Sequence, residues 1–243
     1  MTRGRSWVNE IVSRTAFDDY EGQALDNLNR YGVESGFCVQ YFRGGRTEFY
    51  EFAKGDNGSV TMAVPHGGDR LLHVHYHPDK YVSPSTKDVH ESDKDAGILR
   101  KELEVPPVLM IGARVDESPL YLAMQREKFP GVVERFLLPR FKPDNWRRLS
   151  TKLYEMESNR MLYEAIRDRL GEERELELRN KPYEEVLAES GITYSDIALM
   201  TSKAVERGYG FKTAVLASTD KFPDAEPISD KRAWILGNGE LFG

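Results

Sequence analysis

Residues 70–88 read RLLHVHYHPDKYVSPSTKD, and this stretch decides the fold. Its first eight residues are rich in β-branched, aromatic and histidine side chains and end at Pro78, which predicts a strand over 70–77. A loop containing Pro84 follows. Residues 85–104 then predict a helix whose first turn is rich in Ser, Thr and Asp, the residue types that cap helix N-termini. Working outward, VLMIGARV (108–115) and PLYLAM (119–124) predict two more strands. Upstream, Phe17, Tyr20, Ala24, Leu25 and Leu28 recur at helical spacing over 16–31, and Gly32 closes that helix. GFCVQYF (36–42), the turn Arg43-Gly44-Gly45-Arg46, TEFYEFA (47–53), a second turn at 55–59 and SVTMAV (59–64) predict a β-rich run. The pattern implies an α/β fold, a mixed β-sheet flanked by helices, over about residues 1–140.

Beyond residues 139–143 the composition changes. Residues 146–179 are densely charged with helical period, and 183–189 and 194–207 predict a further helical pair separated by Ser-Gly-Ile-Thr. FKTAVLAS (211–218) predicts a strand. Residues 141–243 therefore read as a mainly helical C-terminal extension. The segment 187–210 also has the outline of a helix-turn-helix, but its second helix offers only Lys203 and Arg207 as bases against Asp196 and Glu206. A packed helical pair for homo-oligomer formation or substrate docking is the favoured expectation.

The chain has 243 residues, enough for a large domain with a smaller companion, and a net charge of −6. That acidity disfavours nucleic acid or an anionic membrane as the main partner. The longest apolar run, VPPVLMIGA (105–113), suits a buried strand and is far short of the ~20 residues of a membrane span. A single cysteine, Cys38, permits no intramolecular disulfide. With no signal-peptide pattern at the N-terminus, the expectation is a cytoplasmic protein.

Side chains alternate along a strand, so His73, His75 and His77 share one face. Two of them at i and i+2 can grip one ion without distorting the backbone. A carboxylate at the start of the next helix, Asp88, would complete a three-ligand set with the fourth tetrahedral position left for water. One cysteine excludes a cysteine-built zinc site, and a site of two imidazoles and a carboxylate suits one Zn2+. On histidine spacing alone, a strand of solvated histidines is the alternative.

The complete pattern is His75-x-His77-Pro78, six residues, then Ser85-x-x-Asp88. It resembles the signature of the JAMM (MPN-plus) metalloproteases, H-x-H-P followed by S-x-x-D, in the form seen in prokaryotic members. The resemblance covers about residues 16–140, and no family is recognised in 141–243. It selects His75 and His77 as ligands with Asp88, leaving His73 adjacent to the site. It also implies a JAMM and cytidine-deaminase-like core and a glutamate some forty residues upstream acting as general base. Glu34, 41 residues before His75, is the candidate. The family reads Glu-x-x-Gly there, whereas Gly36 comes two residues after Glu34; Glu48 and Glu51 are the rivals.

By this resemblance, zinc on His75, His77 and Asp88 would bring the pKa of a bound water from about 15.7 toward about 7. Glu34 would take its proton, and Ser85 would either stabilise the oxyanion or cap the helix. The implied substrate is a peptide or isopeptide bond at the C-terminus of ubiquitin or a ubiquitin-like protein. A non-catalytic MPN-type scaffold and a DNA-repair-associated JAMM-like protein are the alternatives. The remaining His66, His73, His90 and Cys38 form no pattern for a second, structural zinc.

Overall fold

The computed structural model describes residues 14–42, 46–54, 65–78, 80–115, 118–129, 143–217, 222 and 225–228. In chain order these form α1 (Arg14–Tyr31), β1 (Ser35–Tyr41), β2 (Thr47–Lys54), β3 (Arg70–Tyr76), α2 (Thr86–Leu99), β4 (Val108–Val115) and β5 (Ser118–Arg126). There follow α3 (Pro143–Leu170), α4 (Glu172–Leu178), α5 (Tyr183–Ser190), α6 (Tyr194–Tyr209), β6 (Phe211–Ala217) and the short β7 (Glu226–Pro227). The strands make one mixed sheet in the order β2-β1-β3-β4-β5-β6-β7. Pairings are antiparallel except β3 with β4 and β6 with β7. The expected strand at 59–64 lies outside the described residues.

The period of two along each strand divides the core into opposite faces. Leu72, Val74 and Tyr76 of β3 join Phe37, Val39, Met110, Tyr121 and Ala123 on the face covered by Phe17, Ala24 and Leu28 of α1. Leu109, Ile111, Leu122 and Met124 lie on the other face with Val89 of α2 and Ala198 and Val205 of α6. Leu99 and Leu103 extend that layer over Cys38 and Leu71. Because helices cover both faces, β1 is buried at every residue and β3 at all but Arg70. Each large apolar side chain buried this way contributes about 1.5–3 kcal/mol.

Parallel pairing of β3 and β4 requires a crossover, and α2 supplies it. This β3–α2–β4 unit is the part of the fold that positions the site. α2 stops at Leu99, shorter than the expected 85–104. The chain then turns, with Leu103 N–H donating to the Leu99 carbonyl (2.9 Å), and reaches Pro106 and Pro107. Gly112 of β4 pairs with Tyr76 and lies against its ring. A Cβ there would lie 2.5 Å from Tyr76 Cε1, so only glycine permits this packing.

The helical stretch expected over 146–179 divides in two at Gly171, whose φ of 88° admits glycine far more readily than other residues. α3, α4, α5 and α6 share a further core of Leu162, Ile166, Leu178, Val186, Leu187, Ile192 and Ile197. Glu175 is fully buried between Arg167 and Arg179, whose guanidinium groups hold its carboxyl below the usual range. The expected domain boundary at 140/141 falls outside the described residues. β6, however, pairs with β5 along seven residues, so the C-terminal half supplies a strand of the same sheet as well as helices. No described helix is long and apolar enough to cross a membrane.

Candidate metal centre

β3 delivers His75 and places His77 immediately beyond its end, where His77 N–H donates to the Gly112 carbonyl (2.9 Å). The imidazoles converge, with Nε2 to Nε2 at 3.0 Å. Asp88 comes from the first turn of α2. Its Oδ1 stands 3.5 Å from His75 Nε2 and its Oδ2 3.9 Å from His77 Nε2. These three residues form the one group among the described His, Cys, Asp and Glu residues able to hold a metal, with ligand atoms all within 4.8 Å of one another.

The spacing suits an ion. Donors bonded at about 2.0–2.1 Å around one tetrahedral centre stand about 3.3 Å apart. The observed 3.0, 3.5 and 3.9 Å bracket that value. The chemistry agrees: His75 and His77 are 3 % and 8 % exposed, so a cation placed there meets imidazole and carboxylate rather than bulk water. Burial pushes His75 down to about 4, a fall that Asp88 opposes and His77 reinforces. His75 is therefore neutral near pH 7, the state in which an imidazole nitrogen can bind a metal. The donor set is one that could hold a divalent metal ion, and by itself it does not select zinc among them.

Asp88 is held in place from its own helix. Ser85 N–H donates to Asp88 Oδ2 (2.6 Å), and Asp88 N–H donates to Ser85 Oγ (3.2 Å), a reciprocal capping box. One motif thus starts α2 and orients the carboxylate. Ser85 Oγ spends a lone pair on this cap, and its O–H proton still has to be directed elsewhere. Of the two roles expected for Ser85, the cap is visible directly.

Glu34 immediately precedes β1. Ser35 pairs with Tyr76 and Gly36 with His75, so continuing the antiparallel register by one residue brings Glu34 level with His77. Gly36 and Cys38, which pair with His75 and His73, share the face of those histidines, and Glu34 lies two residues before Gly36, just ahead of β1. Glu34 is partly buried and is not one of the three clustered ligands. Its rival Glu48 pairs with Gln40 on β2, away from that end of the sheet. There it accepts from the Tyr50 hydroxyl (2.8 Å) and meets Arg46 (3.2 Å). The side chain of Glu51 lies outside the described residues.

His73 shares the face but not the cluster. Its Nδ1 stands 3.6 Å from Asp95 Oδ2, beyond hydrogen-bond length, and its Nε2 is buried without a partner. Burial pushes His73 down to about 4 and Asp95 up to about 6. Asp95 is seven residues after Asp88, two helical turns along one face of α2. The spacing of seven between Asp88 and Asp95 is the sequence signal that marks this pairing of one helix face with the histidine strand. His66 is exposed and pairs with Glu102 (2.9 Å), while the side chain of His90 lies outside the described residues. No protein-family model matches the chain, and no curated protein matches it either.

Proposed function

We propose that the chain is a zinc-dependent hydrolase of JAMM type, cleaving a peptide or isopeptide bond at the C-terminus of a ubiquitin-like protein. The observation that carries this reading is the convergence of His75, His77 and Asp88 on one point, in a sequence spaced as H-x-H-P and S-x-x-D. The position of that point supports it too. It lies at the carboxyl end of a parallel strand, where a βα connection opens the sheet to ligands.

Zinc, when bound, supplies a Lewis acid that polarises the scissile carbonyl and acidifies water. The protein supplies the rest. His75 and His77 would hold the metal through their converging Nε2 atoms, and the capping box aims Asp88 at the same point without help from substrate. Glu34, one residue ahead of the Ser35–Tyr76 pair, would accept a proton from the attacking water at its carboxylate and pass it to the departing amine. The Ser85 hydroxyl, free to donate while its oxygen accepts from Asp88 N–H, hydrogen-bonds the oxygen that becomes negative.

Metal analysis and hydrolysis assays on the purified chain test this reading together. Wild-type protein is expected to hold one zinc and to cleave a ubiquitin-like fusion. Glu34→Gln should keep the zinc and lose cleavage, whereas His77→Ala and Asp88→Ala should lose the metal. Zinc bound without cleavage of any such fusion would turn the assignment toward a silent scaffold. A wild-type chain that takes up no metal would remove the hydrolase reading altogether.

A further inference from the structure

Seven residues, 78–84, connect His77, just beyond β3, to Ser85, the cap of the helix that carries Asp88. The position of this connection sets the distance between the ligand-bearing elements, and its anchors lie in the C-terminal half. The Tyr81 ring meets the Tyr183 ring edge-on, with centroids 5.2 Å apart, and the Tyr194 ring at 5.6 Å. Tyr183 and Tyr194 are the first residues of α5 and α6, so both helix starts abut the loop. Lys80 places its ammonium 5.4 Å from the Tyr194 ring centroid, and the Tyr194 hydroxyl donates to Glu184 Oε2 (2.7 Å). Next along the chain, Val82 is buried in the core that α6 shares with the sheet through Ala198 and Val205. Successive side chains of the loop are therefore held by separate elements more than a hundred residues away.

We infer that Tyr81 is a positioning residue and that Tyr183 and Tyr194 clamp it. The C-terminal helices thereby hold the loop that fixes the spacing of His77 and Asp88 and complete the metal centre. The inference rests on the metal-centre reading above and gives residues 183–209 a task in it. Loop 78–84 bears the ligands' spacing but supplies no ligand itself, so the clamp acts through Asp88 and His77. Rings paired at these distances are worth enough that loss of one contact should weaken the preorganised site by about two- to tenfold.

The test uses the full-length chain. Zinc affinity is measured by chelator competition, the Co2+ absorption spectrum of the substituted site is recorded, and amide hydrogen exchange is followed over residues 80–88 of metal-free protein. Tyr81→Phe, which keeps the ring, should stay closer to wild type than Tyr81→Leu in all three. Tyr81→Leu, which keeps an apolar side chain without the ring, and Tyr183→Ala should weaken zinc by about two- to tenfold, alter the Co2+ spectrum and speed exchange across the loop. Wild-type affinity and exchange in both variants would overturn the clamp while leaving the metal centre intact. Should Tyr81→Leu fail to fold, Tyr183→Ala decides alone, because Tyr183 is 37 % exposed and its truncation costs little packing. If wild-type protein binds no zinc, the metal reading fails separately. Loop exchange then judges the clamp: faster in Tyr183→Ala upholds it as a loop anchor, and unchanged overturns it.

Discussion

Ser85→Ala separates the two tasks assigned to Ser85, because they differ in kind and size. The substitution removes the oxygen that accepts from Asp88 N–H at 3.2 Å, which leaves a donor in the first turn of α2 without its cap. Loss of such a cap costs about 1 kcal/mol, and replacement by glycine only a few tenths. For a chain of this size about 1 kcal/mol lowers the thermal midpoint by roughly 2–4 °C. The other half of the capping box survives, because Asp88 Oδ2 accepts from the Ser85 backbone N–H at 2.6 Å, a bond no side-chain change removes. Asp88 should therefore stay aimed, and zinc affinity should move by less than about threefold, under 1 kcal/mol. Hydrolysis should behave differently. If the hydroxyl also donates to the oxyanion, kcat should fall about 10²–10³-fold in Ser85→Ala and Ser85→Gly alike, although Gly barely destabilises. Urea denaturation, chelator competition and steady-state kinetics on the three proteins supply the numbers. Equal stability of wild type and Ala would refute the cap. A zinc affinity lowered more than tenfold would refute the claim that the backbone bond holds Asp88. Full kcat in the Gly variant would refute the oxyanion role and leave Ser85 a cap alone.

Gly112→Ala should cost about 1–3 kcal/mol by overpacking, since its methyl would press on the fully buried Tyr76 ring; equal urea midpoints would contradict the close approach. Arg126 binds both oxygens of Asp93 at 2.9 and 2.8 Å, donates to the Tyr209 carbonyl and lies 4.1 Å from the Phe211 ring centroid. A double-mutant cycle of Arg126→Ala with Asp93→Ala should give a coupling of about 1–3 kcal/mol; a coupling near zero would dismiss this link between α2 and β5. Asp95 is raised by burial to about 6 from an ordinary 3.8, so folding favours its protonated form and the native state loses stability as pH climbs from about 4 through 6. Asp95→Asn removes that loss and should stabilise the protein at pH 7 by about 1–2 kcal/mol after allowance for solvent screening, with no gain below pH 4. A gain independent of pH would assign the effect to something other than the carboxylate.

What the sequence made legible follows the range of the interactions. The strand–loop–helix at residues 70–99 could be read because its determinants are local, and the choice of His75 and His77 over His73 as partners of Asp88 comes from the resemblance to the H-x-H-P and S-x-x-D signature. Strand alternation fixes which histidines share a face, Pro78 ends the strand, and the Ser85–Asp88 box begins the next helix at the required distance. The break at Gly171 was hidden for the opposite reason. A periodic, charged helix continues plausibly through one glycine, and only packing of α4 against α3 selects the left-handed φ. FKTAVLA showed itself as a strand, but its pairing with β5, some ninety residues earlier, leaves no mark in either segment beyond a nearly unbroken buried run. Tyr81 is the sharpest case. In the sequence it is one aromatic between two prolines, and its ring contacts with Tyr183 and Tyr194 come from residues more than a hundred positions away. The residues that would bind metal are therefore written within fourteen positions of each other, from His75 to Asp88, while the residues that hold them still are distributed across the chain. That division has a mechanical logic. Ligand identity is a matter of chemistry and can be specified by a short motif, whereas rigidity requires contacts between elements that the chain can bring together only by folding completely.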